Sequence, residues 1–245
     1  MAKSILVILP IIFLLAHCTP LQKENQSTSK DQPISIDEIT GDKYEVDPAS
    51  SVVTWIGRRP VRQHNGTIDI VGGSFTGQDT DLLAGEIFIN IASIDIKDLK
   101  KDSDDYTKLK NHLLSDDFFY TDSFPTAKFE LIKIIPYDTT IEIPDHEEFE
   151  SENTPASFRE FMVKEPTHYV SGNLTIRGIT RRIDFPAIIY FRNNKLFAEA
   201  KFNIDRTQWN VKYDDESSVT DKLKDQFIYN TVNVGFSLQA IKAEE

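Results

Sequence analysis

The stretch RRIDFPAIIYFRNNKLFAEAKFNID, residues 181–205, decides the fold. In its first half Ile183, Phe185, Ala187, Ile189 and Phe191 share one side of an extended chain, because successive side chains of a strand point to opposite faces. Its second half alternates in the same way, with Leu196, Ala198, Ala200, Phe202 and Ile204 opposed by Glu199, Lys201 and Asn203. Asn193-Asn194 between them has the residue type that accepts the backbone of a two-residue hairpin turn, which makes the two strands antiparallel neighbours. TVNVGFSLQA, 231–240, adds a third strand, with Val232, Val234, Phe236 and Leu238 opposed by Asn233, Ser237 and Gln239.

Working outward, the same period of two marks SVVTWIG (51–57), NGTIDIV (65–71), GSFTG (73–77), GEIFINIASIDI (85–96), AKFELIKII (127–135) and HYVSGNLTIRG (168–178). That makes about nine short to medium strands. Helical spacing occurs in SDDYTKLKNHLL, where Tyr106, Leu109 and Leu113 recur at i, i+3 and i+7 behind an expected cap at Asp104. So many strands in one chain predict closure into an antiparallel barrel, which removes the exposed edges through which open sheets aggregate. The segment 137–167 is acidic and proline-spaced and separates two clear strands, so it reads as an elaborated hairpin loop with a short helix at Ser157 to Lys164.

Composition narrows function. Hydrophobic residues make up 40% of the 245 and aromatic ones 11%, enough for a real core, and the net charge of −12 argues against a protein that tracks nucleic-acid phosphates. The start of the chain differs in kind. Lys3 precedes the apolar run SILVILPIIFLLA, which has the length of a signal-peptide core and is too short to span a bilayer as a helix. The sole cysteine, Cys18, follows in LAHC, which resembles the lipobox of bacterial lipoproteins although His17 stands where a small residue is usual. Residues 1–18 are therefore expected to act as a lipoprotein-type signal, with Cys18 lipidated and holding an exported protein to a membrane, facing the periplasm or the cell surface. The alternative is ordinary signal cleavage nearby. Residues 19–42 are polar and read as a tether reaching about 25–30 Å by random-coil scaling, and residues 43–245 form the domain.

No catalytic pattern emerges. GGSFTG lacks the GxSxG spacing, and adjacent acids such as Asp116-Asp117 and Asp214-Asp215-Glu216 sit on polar turns. His64 and His112 lack the further ligands that a metal needs. Neither an enzyme nor a resident cofactor or metal is expected.

Several pieces together resemble the YceI-like family of exported lipid-binding proteins: VDPASSVVTWIG, HNGTIDIVGGSF, HLLSDDFFYTDSFPTAKFE, VSGNLTIRGITRRIDFPA and AKFNIDRTQWNV. They stand in family order over about residues 43–240, and the 137–167 insertion is longer than the loop usual there. The resemblance implies an eight-stranded antiparallel, lipocalin-like β-barrel with a short helix, whose lumen binds or carries a polyisoprenoid-type chain such as a polyprenyl phosphate or quinone. The expected lining is Trp55, Phe75, Phe88, Phe129, Leu174, Ile176, Phe185 and Phe202, with Phe118 and Phe119 closing one end of the barrel. Each buried methylene of such a ligand contributes about 0.8 kcal/mol before entropy costs, so affinity needs no polar contact. Arg177, Arg181 and Arg182 read either as a solvated hairpin turn or as a site for a pyrophosphate or anionic lipid, and Arg206 with Trp209 as a cation–π pair or a feature of the mouth. The partners expected are an isoprenoid lipid and, through Cys18, a membrane. The rival reading is an interaction module whose lumen is filled by its own side chains and whose 137–167 loop engages an unidentified protein.

Overall fold

The computed structural model describes residues 40–78, 81–138, 162–218 and 227–244. The signal segment with Cys18, the tether up to residue 39, and residues 139–161 of the insertion, with most of the helix expected there, lie outside the described residues. Nine strands follow in order: β1 (Asp42–Val46), β2 (Val52–Arg59), β3 (Arg62–Gln78), β4 (Asp81–Ile96), β5 (Thr126–Pro136), β6 (His168–Ile176), β7 (Ile179–Arg192), β8 (Lys195–Asp205) and β9 (Thr231–Lys242). Helix α1 (Asp104–Leu114) interrupts them between β4 and β5. No helix among the described residues is long and apolar enough to cross a membrane.

Strands β2 to β9 run up and down, each antiparallel to the next, and β9 returns to β2, so an eight-stranded antiparallel β-barrel closes. β1 shares the position of β2, lying end to end with it: Tyr44 pairs with Phe75 of β3 and with Lys242 of β9, while Trp55 of β2 pairs with Gly66 and Val234. A 3-10 turn at Pro48–Ser50, capped by the Asp47 carboxylate, separates the two. A proline at its start has no N–H to give to a ladder, which is why one strand becomes two.

NGTIDIV and GSFTG, which the pattern splits, belong to one 17-residue strand, β3. Register shifts at Thr67/Asp69 and Ile70/Gly72 reverse the alternation inside it and bend it around the barrel. The cap of α1 is Ser103, one residue before the expected Asp104: its backbone is extended and its Oγ accepts from Tyr106 N at 3.3 Å. The β7–β8 hairpin is as the sequence predicts, with Asn193 and Asn194 at φ 52° and 58°.

Strand direction gives the barrel two unlike ends. One, the mouth, gathers the β2–β3 hairpin, residues 97–125 with α1, the Arg177-Gly178 turn and residues 206–218 and 227–230. The other, the base, gathers β1, the β7–β8 turn and both ends of the 137–167 insertion, whose neck is closed by Tyr137 N donating to Thr167 O at 2.9 Å. The returning part of the insertion runs on the outer wall, where Val163 N donates to Lys201 O and Met162 covers the buried amide of Asn233.

Candidate functional site: an apolar chamber under the mouth

The mouth half of the barrel encloses a cavity of about 610 Å³. Its wall follows from period two. Ile68 of β3, Ile87, Ile89 and Ile91 of β4, Phe129 of β5, Leu174 and Ile176 of β6, Ile183 and Phe185 of β7, Phe202 and Ile204 of β8, and Val232, Val234 and Phe236 of β9 all turn inward. Val53 and Trp55 of β2 complete the ring. Such a surface holds an apolar guest by removing it from water and has few polar groups to orient one.

Four phenylalanines floor the chamber. Phe185 and Phe202 stack at 4.2 Å with planes 6° apart, and Phe129 and Phe236 meet Phe185 at 5.7 and 5.9 Å. Phe129 reaches this position because residue 172 on the next strand is glycine: a Cβ there would overlap the ring. Beneath the floor the lumen is filled, with Leu131, Val170, Ile189, Leu196 and Leu238 buried and Tyr44 meeting Phe191 edge-on at 5.3 Å.

The cover is built from α1 and the turn after it. Leu109, His112 and Leu113 of the helix, then Phe118 and Phe119, line the chamber from above. His112 lies edge-on to Phe118 at 5.0 Å and to Tyr213 at 4.4 Å, while its Nε2 is 3.2 Å from Asp117 Oδ2. Two side chains lock this cover down. Arg177 Nη1, on a turn residue at φ 50°, donates to Phe118 O at 2.5 Å and Asn210 O at 2.9 Å, tying two mouth segments together. Tyr106 of α1 donates its hydroxyl to Asp95 Oδ1 of β4 at 2.6 Å. With Lys97 Nζ bonded to the other oxygen and Tyr106 to the first, the Asp95 carboxyl is held down at about 2, and that bond pushes the Tyr106 phenol up to about 12. Phe118 and Phe119 thus cover the chamber at the mouth end, while Tyr120 turns outward onto Phe124.

The chamber reaches solvent between α1 and the tip of the β2–β3 hairpin, where Val61 is 78% exposed. Arg58, Arg59, Arg62 and Lys108 line this opening together with His64 and Asp105. His64 Nδ1 is 2.8 Å from Asp98 Oδ2, and Arg59 is 3.7 Å from Asp214. Arg206 is a different kind of cation, 6% exposed and donating to the carbonyls of Val211, Tyr213, Ile228 and Tyr229 at 2.7–3.1 Å. Burial lowers its pKa to about 10, which leaves it charged at neutral pH. It frames the mouth, and Trp209 beside it is pinned through Nε1 to Leu174 O at 2.9 Å. Arg181 donates to Gln208 O, and Arg182 lies 3.6 Å from Asp184, so the three arginines of the β6–β7 region are all engaged with the protein.

Of the residues expected to line the lumen, the structure places Trp55, Phe118, Phe119, Phe129, Leu174, Ile176, Phe185 and Phe202 on the chamber. Phe75 and Phe88 lie elsewhere. Phe75 is buried in the filled base, its ring occupying the space above Gly85 that a side chain there would need. Phe88 faces the outside of β4, under the Lys128 ammonium at 5.5 Å, because Ile87 and Ile89 on either side take the inward positions. The sequence candidates omitted Phe236, Val232 and Val234, although their alternation was plain, and the hairpin arginines, for which no local pattern exists. Among the described residues no three His, Cys, Asp or Glu side chains converge as a metal site requires.

Fold and site define a closed up-and-down β-barrel with an apolar chamber reached from one end. The model of the YceI-like domain matches residues 44–240, and the chain belongs to that family. No curated protein matches it. Solved structures similar to it include BcnA of Burkholderia cenocepacia, at 18% identity over 79% of this chain and 98% of that one, with a TM-score of 0.48. A polyisoprenoid binding domain from Saccharophagus degradans has 13% identity over 82% and 98%, with a TM-score of 0.49. The Campylobacter jejuni YceI protein has 17% identity over 70% and 85%, with a TM-score of 0.41.

Proposed function

We propose that this protein is a non-enzymatic, exported and membrane-tethered carrier that holds the apolar chain of an isoprenoid-type lipid in the mouth half of its barrel. The observation that supports this most is the 610 Å³ chamber, walled by Ile, Val, Leu and Phe and opening beside the exposed hairpin tip. Side chains that face a chamber of this size have no protein atoms packed on their inner side, and packing contacts there would add to stability. A guest chain of slender, branched hydrocarbon supplies those contacts, and the 4.2 Å stack of Phe185 on Phe202 gives it a flat apolar floor. The membrane tether is the acylated Cys18.

Native mass spectrometry of the purified protein is expected to show one chain-bearing lipid per barrel, released by organic extraction. A protein that carries none and takes up no added farnesol would end the carrier reading. Cys18→Ser is expected to move the protein from the membrane to the soluble fraction, and unchanged membrane retention would remove the tether.

A further inference from the structure

We infer that the phenylalanine floor is a length gauge: the chamber takes an apolar chain of about twenty carbons, four isoprene units, and stops a longer one at Phe185 and Phe202. This deepens the carrier reading and rests on it. At about 30 Å³ for each water-sized group, a cavity of 610 Å³ accommodates about twenty chain carbons. Among the described residues the way in for a chain is the opening beside Val61, because the floor spans the lumen and the base beneath it is filled.

The floor is built to stay in place. Phe185 is 1% exposed, stacked on Phe202 at 4.2 Å and met edge-on by Phe236. Phe129 is seated against Gly172, the one residue type that leaves its ring room. Below, Leu196 and Ala240 are 0% exposed, so the rings have nowhere to retreat. A chain pressing on the floor would have to displace close-packed side chains on β5, β7, β8 and β9 at once, which a core does not permit without losing its packing. The surplus of a long chain therefore stays outside, in water.

The test is a ladder of prenyl alcohols: geraniol (C10), farnesol (C15), geranylgeraniol (C20) and solanesol (C45), titrated by native mass spectrometry and by displacement of a fluorescent fatty alcohol. Affinity is expected to rise at least tenfold for each added unit up to C20 and to gain nothing more at C45. Phe202→Ala, which lowers the floor by one ring, is expected to move the plateau to C25 (geranylfarnesol), and Gly172→Ala, which drives the Phe129 ring into the chamber, to move it down to C15. A rise that continues to C45, or equal affinity for all lengths, would overturn the gauge. Absence of binding by every alcohol would instead sink the carrier reading itself. Should Phe202→Ala fail to fold, the ladder on the unaltered protein still decides between these outcomes.

Discussion

The two halves of the barrel share strands and hydrogen bonds yet have opposite interiors. β7 shows it within one strand: Ile183 and Phe185 face the chamber, whereas Ala187 and Ile189 are buried in the filled base. An eight-stranded barrel has an interior just wide enough to be filled by side chains or to hold one slender ligand, and here each outcome takes one half. The deciding difference is β1. By occupying the base end of the β2 position it brings Tyr44 and Val46 inward, and Tyr44 meets Phe191 across a layer kept shallow by Ala84, Ala187, Ala200 and Ala240. Above the floor, among the described residues, branched aliphatic side chains coat the wall of the chamber.

Substitution in each half would break or sharpen this contrast. Leu196→Ala, in the base, is expected to cost about 3–4 kcal/mol of stability in urea unfolding, because it removes fully buried atoms with no space already present. Arg206→Met is next, at about 3 kcal/mol, because four carbonyls lose their donor. Ile176→Ala, on the chamber wall, is expected to cost less than about 1.5 kcal/mol, since its side chain faces the chamber and is packed by protein atoms on one side only. An equal loss for Leu196→Ala and Ile176→Ala would mean that the chamber is as tightly packed as the base.

The smallest effect concerns the cover and is read by pH. The folded pKa of Asp95, about 2, lies below its value near 4 in an unfolded chain, so the stability it lends is complete above pH 4 and is lost as pH falls through about 2. Tyr106 is shifted upward, so its share is intact below pH 10 and lost as pH rises through about 12. The difference in urea midpoint between the unaltered protein and Tyr106→Phe is therefore expected to be constant from pH 5 to 9 and to shrink toward pH 2. A difference independent of acid would show that the Asp95 bond does not hold the helix.

Much of this architecture was legible in the residues themselves. Alternation in 181–205 and 231–240 gave three neighbouring strands, and closure followed from strand number and the need to hide edges. Phe185 and Phe202, each in a clean alternating run, were placed on the right face. Phe88 was misplaced because its size outweighed its parity beside Ile87 and Ile89, and Phe75 because parity tells the face of a strand but not the level along the axis. The bulges of β3 hid its continuity, since a register shift reverses alternation. The arginine frame around Phe118, Asn210 and Val211 was illegible for another reason: its acceptors are backbone carbonyls, which every residue carries alike.

The pairing of Tyr44 with Lys242 has a practical corollary, reinforced by the 2.7 Å contact of the Lys242 ammonium with the Asp42 carboxylate. The first and last strands of the barrel meet side by side on the rim farthest from the opening. A purification handle, a fluorescent fusion or a solid support joined at either side hangs below the cup and leaves its lip clear. A short linker could splice the two ends, and new termini cut at the β7–β8 turn, on that same rim, would give a circularly permuted cup still open at the top.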